Sequence, residues 1–114
     1  VLRRDLGRVL DDALSIANEG TAGYGVSLDL DVLDPRDLPA VATPASFGIR
    51  GAELARELGR IGRDPRLVAF ELAEYCPRLD HDGRSERLIG RLLCAALGGA
   101  REDSQVLADA LQAA

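Results

Sequence analysis

The chain has no methionine in 114 residues and begins with Val1. A translated polypeptide normally starts with methionine, so we expect a piece of a longer protein whose upstream part is missing. Long apolar runs are also absent. None approaches the ~18 residues a membrane-spanning helix needs, and no secretory leader is visible, so a membrane partner is not expected and a cytoplasmic location is. Cysteine is scarce: Cys76 and Cys94 are too far apart in sequence to form a close-spaced metal pair, and free thiols in a reducing compartment are expected. Excess positive charge is missing too. The net charge of -5 gives nucleic acid no electrostatic reason to bind.

What is present suits one soluble domain or part of one. Apolar residues make up 46% and charged residues 29%, ordinary proportions for a globular chain, and the length allows a core but is short for a multi-strand enzyme. We divide the chain at about residue 100, with a short C-terminal helical tail over 101–114 suggested by Val106, Leu107, Ala110 and Leu111.

The first candidate element is an amphipathic helix over about 2–18, from Leu2, Leu6, Val9, Leu10, Ala13 and Leu14 at three- and four-residue steps. Gly20 is a natural left-handed residue beyond its end. A strand follows at about 24–31, where apolar and polar residues alternate up to Asp31. Pro35, Pro39 and Pro44 then stiffen an extended loop. Ala52, Leu54, Ala55, Leu58 and Ile61 mark a second helix over about 50–62. The apolar run from Leu67 to Ala73 predicts a strand buried on both faces. A third helix over about 84–98 would place Leu88, Leu92, Ala95 and Ala96 inward, capped by Asp82. Strand, helix, strand with a short return predicts a parallel pair whose C-terminal ends lie together.

Those ends carry the acidic residues. Within a strand, Asp29 and Asp31 would face one side about 6.5 Å apart, and two like charges there call for a cation between them. Hard carboxylate oxygens suit Mg, Ca or Mn. The plainer alternative is an exposed polar face. Glu74, just past the second strand, would join the same rim, or would be an ordinary strand-end carboxylate. His81, the only histidine, reads as a solvated turn residue between Asp80 and Asp82.

The run Asp29-Leu30-Asp31-Val32-Leu33-Asp34-Pro35, continued by Pro39 and Thr43-Pro44, resembles the arginase, agmatinase and formimidoylglutamase family of ureohydrolases. Glu71-Leu72-Ala73-Glu74-Tyr75-Cys76-Pro77 is a second match at family spacing. Asp80-His81-Asp82-Gly83-Arg84-Ser85 resembles a run of the formimidoylglutamase and bacterial arginase-like branches. The likeness covers roughly residues 1–98.

It implies an α/β fold of three layers, α/β/α, around a parallel sheet, with about two strands and three to four helices in this C-terminal portion. It also implies a binuclear Mn(II) centre in the full-length protein, with Asp29 bridging both ions and Asp31 binding one. Glu74 would contact a small guanidino substrate with Thr43 beside it, although the Thr43 hydroxyl could equally bond its own loop. Asp34 would orient the loop without touching metal. The family departures are Glu71 in place of Asp and Cys76 in place of Asn. Its upstream His and its Asp-x-His-x-Asp set have no counterpart here, so these 114 residues are expected to be inactive alone. The activity implied is arginase-like, with formimidoylglutamase or agmatinase as alternatives and a homo-oligomer as the assembly. A non-catalytic domain that lost its metals is the rival from another class.

Overall fold

A computed structural model describes residues 5–98 and Gln112. The tail expected over 101–114 lies outside these, as does the start of the first helix. Among the described residues there are three α-helices and two strands: α1 (Leu6–Ala17), β1 (Tyr24–Asp29), α2 (Gly51–Ile61), β2 (Leu67–Ala73) and α3 (Arg84–Ala96). Short 3-10 turns cover Leu30–Val32 and Pro77–Leu79. None of the described helices is long and apolar enough to cross a membrane.

β1 and β2 pair in parallel, as the strand-helix-strand order requires, in a register that ends with Asp29 opposite Ala73. α2 and α3 cover one face of the sheet. Leu54, Leu58, Leu88 and Leu92 pack there with Leu28 and Leu30, and Phe70 and Leu72 lie against the cluster. Gly62 lets the two helices close together, since a Cβ on it would stand 2.5 Å from the carbonyl oxygen of Ala95.

Three expectations need correction. β2 is not buried on both faces: Ala69 and Glu71 are exposed and Val68 is 73% exposed. An apolar run reports what a strand can bury, and among the described residues only one face has helices to bury it. β1 stops at Asp29 because the backbone there turns into a 3-10 helix, so Asp31 is not a strand residue. Finally, Asp82 is not the main cap of α3. Its Oδ1 accepts only the N–H of Arg84 at 3.0 Å, whereas Asp80 accepts those of Ser85 at 3.2 Å and Glu86 at 2.8 Å. Gly83, at φ 71°, makes the turn that carries the chain from Asp80 back over the helix end.

The first half of the loop between β1 and α2, from Leu30 to Val41, carries several of the most deeply buried of the described residues. Leu30, Leu33, Leu38 and Ala40 are wholly inaccessible and Val41 nearly so. Its backbone is tied at both flanks, the Asp34 N–H to the Ile49 carbonyl and the Ile49 N–H to the Val32 carbonyl, each at 2.8 Å. Ala40 is held twice: its N–H donates to the Ser85 hydroxyl at 3.1 Å, and its carbonyl accepts the Cys76 N–H at 2.9 Å. Such pairing is what allows polar backbone to be buried in a loop. Cys76 and Cys94 are both free thiols, as expected.

Candidate metal and substrate site

The parallel register brings the C-terminal ends of both strands to one edge. Asp29 is the last residue of β1 and Glu74 directly follows Ala73, its partner across the sheet. Neighbouring strands run about 4.8 Å apart, so the two backbones leave the sheet side by side. The loop after β1 and the loop after β2 are joined by the Cys76 to Ala40 hydrogen bond just beyond this edge.

Asp29 has two structural duties. It ends the strand and caps the following 3-10 turn, its Oδ1 accepting the Asp31 N–H at 2.9 Å. That capping fixes the carboxylate and leaves Oδ2 free. Asp31 sits inside the turn, and its Oδ1 is buried with no hydrogen-bond partner. A buried carboxylate oxygen without a partner is costly, and a cation or a donor beside it would remove that cost. Among the described residues, however, no group of three or more His, Cys, Asp or Glu side chains could hold a metal ion. The two aspartates therefore fit one side of a metal centre and do not make a whole one.

Glu74 is exposed and has φ 72°, in the left-handed region that non-glycine residues seldom occupy. Holding it there costs on the order of 1–2 kcal/mol, a local strain of the kind that collects at functional positions. The neighbouring turn is well fastened: the Tyr75 hydroxyl donates to Asp80 Oδ2 at 2.9 Å, and Asp80 caps α3. Burial opposes ionisation of Asp80, but the N–H groups of Glu86 and Ser85 and the Tyr75 hydroxyl together hold its carboxyl below the usual range. The run from Asp80 to Ser85 thus acts as a helix-capping device, and exposed His81 takes no part in it.

Thr43 is exposed in the loop between β1 and α2. The loop is braced by two aspartates. Asp34, 4% exposed, grips Arg36 with both oxygens at 2.9 and 2.6 Å. Those bonds, with the Arg36 N–H, keep its carboxyl well below the usual range. Asp37 receives Arg50 at 2.7 and 2.9 Å and the Gly51 N–H at 2.8 Å. The loop-orienting role expected of Asp34 is therefore present. That of Asp37 was missed, because its partners stand 13 and 14 residues away and no local spacing marks them.

Comparison with known proteins agrees with this architecture. The family model described as Arginase family matches residues 1–98. The formimidoylglutamase of Enterobacter sp. (strain 638) is 38% identical over 90 residues, which are 79% of this chain and 28% of that protein. The arginase of Brevibacillus brevis is 34% identical over 93 residues, 82% of this chain and 31% of its own length. Among solved structures, Bacillus subtilis arginase superposes with a TM-score of 0.72 at 31% identity, covering 80% of this chain and 31% of that one. The formimidoylglutamase of Bacillus subtilis gives 0.74 at 26% identity, covering 82% and 29%. The chain thus spans less than a third of the length of these relatives. With the parallel pair, the flanking helices and the acidic sheet edge in place, the family match over residues 1–98 shows that this chain belongs to the arginase family.

Proposed function

We propose that the intact protein carrying this chain hydrolyses a C–N bond in a linear guanidino or amidine substrate, in the manner of an arginase acting on arginine. The observation that supports this is the strand register, which ends with Asp29 opposite Ala73, the residue before Glu74, with Asp31 two residues on in the 3-10 turn. Asp29, through its free Oδ2, and Asp31, through its unpartnered Oδ1, would hold one side of a binuclear Mn(II) centre; the remaining ligands would come from outside this chain. Such a pair of cations makes a water acidic enough to act as a nucleophile near neutral pH. Glu74 would receive the planar cationic group of the substrate in charge-assisted hydrogen bonds and so orient the carbon to be attacked. Thr43 would lie beside the substrate.

Formimidoylglutamase activity is the second reading, favoured by the identity to the Enterobacter protein. Agmatine is a third substrate of the same class. The Asp80 to Ser85 run does not decide between them, because its hydrogen bonds serve the start of α3. We place the protein in the cytoplasm as a homo-oligomer with no nucleic-acid or membrane partner, a setting consistent with its net charge of -5.

The test is a panel of arginine, agmatine and formiminoglutamate offered to the intact protein with and without added Mn(II). Turnover of one of them that requires the metal, together with loss of Mn(II) binding in Asp29→Asn by calorimetry, is the expected outcome. No Mn(II) binding by the unaltered protein would favour the non-catalytic alternative.

A further inference from the structure

We propose that a second recess, lined by none of the acidic residues of the sheet edge, binds a small oxyanion of the phosphate type. It is a cavity of about 580 Å³ between the loop after β1 and the first turns of α2 and α3, and Arg36, Arg50, Arg84 and Arg91 line it with Asp37 as the one carboxylate. In a chain whose net charge is -5, four guanidinium groups around one recess are a marked concentration of positive charge. None of Asp29, Asp31 and Glu74 belongs to it.

Two of the arginines are fixed before any ligand arrives. Arg36 uses Nε and Nη2 on Asp34, and Arg50 uses the same two nitrogens on Asp37. Each pairing occupies one edge of the planar fork and leaves the Nη1 donors unspent. Held this way, the side chains lose little further freedom on binding. The other two stand seven residues apart on one face of α3. Arg84 lies 3.6 Å from the Asp82 carboxylate and donates to the Arg36 carbonyl at 3.3 Å, which draws it toward the loop. Arg91 has no ion-pair partner among the described residues.

The floor between them is apolar and tight. Leu88 is 3% exposed, and a Cβ on Gly51 would come within 2.8 Å of its Cδ2. The charge count points to the ligand class. Asp34 and Asp37 offset Arg36 and Arg50, and Asp82 at 3.6 Å partly offsets Arg84, so Arg91 supplies the unpaired charge; the unspent N–H donors of the four forks suit an oxyanion with several acceptor oxygens. The start of α2 is not the attraction, because Asp37 already accepts the Gly51 N–H.

Inorganic phosphate is the probe, titrated into the intact protein by calorimetry against chloride at matched ionic strength. We expect saturable binding of phosphate that chloride does not reproduce. Arg84→Gln combined with Arg91→Gln should weaken it by about a hundredfold, taking about tenfold for each charge-assisted bond lost. Ala52→Glu keeps all four arginines, adds a carboxylate to the exposed lining, and should weaken binding at least about tenfold; it decides the matter if the double variant does not fold. Phosphate behaving like chloride would overturn the proposal. So would phosphate binding that survives both variants, which would place the anion elsewhere, including at a metal centre. A polyglutamate peptide that binds where phosphate does not would also overturn it, since the recess would then be a docking point for an acidic protein segment.

Discussion

Helix α1 and the loop from Leu30 to Val41 invert the usual expectation about which parts of a chain form the core. α1 has a clear amphipathic stripe, yet not one of its residues is buried. The loop has no long regular element, yet Leu30, Leu33, Leu38 and Ala40 are completely enclosed. Between α1, β1 and α2 lies an apolar groove of about 340 Å³, with Leu6, Leu10 and Leu14 on one side and Leu28, Leu54 and Leu58 on the other. Periodicity tells which face of a helix can be buried; a neighbour close enough to bury it is a separate requirement. The loop meets that requirement because Ser85, Cys76 and Ile49, from three distant parts of the chain, bond to its backbone.

The sharpest way to break this contrast is to open the loop at its base. A Cβ at Gly48 would stand 2.3 Å from the carbonyl carbon of Leu33 and 2.4 Å from the Asp34 nitrogen, both backbone atoms with no room to give. Gly48→Ala should therefore cost about 3 kcal/mol or more in chemical denaturation, by forcing the Leu33 and Ile49 segments apart. A loss below about 1 kcal/mol would mean that the backbone bonds of Ile49 to Val32 and Asp34 are not what holds the loop.

Paired truncations come next. Leu38→Ala leaves a cavity in a fully enclosed site and should cost about 2–5 kcal/mol. Leu10→Ala removes a side chain that already borders open space, so in the 114-residue chain its cost should stay below about 1 kcal/mol. Equal losses would show that the groove beside α1 is filled. Repeating Leu10→Ala in the intact protein sharpens the comparison, since a rise toward the Leu38 value measures how far the rest of the domain covers that face.

The smallest effects are those of pH, and they also separate the two regions. Asp34 in the loop is held ionised by Arg36, with its folded value below the unfolded one. Its stabilisation is therefore present above the ordinary carboxylate range, near pH 4, and is lost as pH falls below it. Asp34→Asn should flatten the acid side of the stability profile between about pH 4 and 2. At the start of β1, burial and a 2.9 Å hydrogen bond to Asp64 push the Tyr24 hydroxyl up to about 12. A raised value has the opposite sign: its contribution is complete below the unfolded value near 10 and disappears as pH rises through about 12. Ultraviolet titration of the folded chain should show Tyr24 ionising later than a free tyrosine.

Much of this was legible in the sequence. The bounds of α2 and β2 follow from Leu54, Leu58 and Ile61 and from the run Leu67 to Ala73, because local periodicity and the Gly62 and Pro65 breaks decide them. The acidic edge was legible as well, since parallel pairing of the two strands follows from their connection. The end of β1 was not: alternation continues through Asp31, while the chain turns at Leu30 to bury that leucine completely. The cap of α3 was misplaced for a related reason. Asp80 reaches Ser85 and Glu86 across the left-handed Gly83, a path longer than the usual cap spacing.

By itself, then, the sequence determined the helices, the two strands, their parallel order and the acidic residues placed at their ends, because each depends on neighbours only a few positions away. Tertiary structure alone decided that part of a proline-containing loop joins the core, that Asp31 turns out of the strand, and that four arginines spread over 56 positions of chain share one recess. Those outcomes depend on contacts between segments far apart in sequence, and no local pattern encodes which distant groups will be there to meet them.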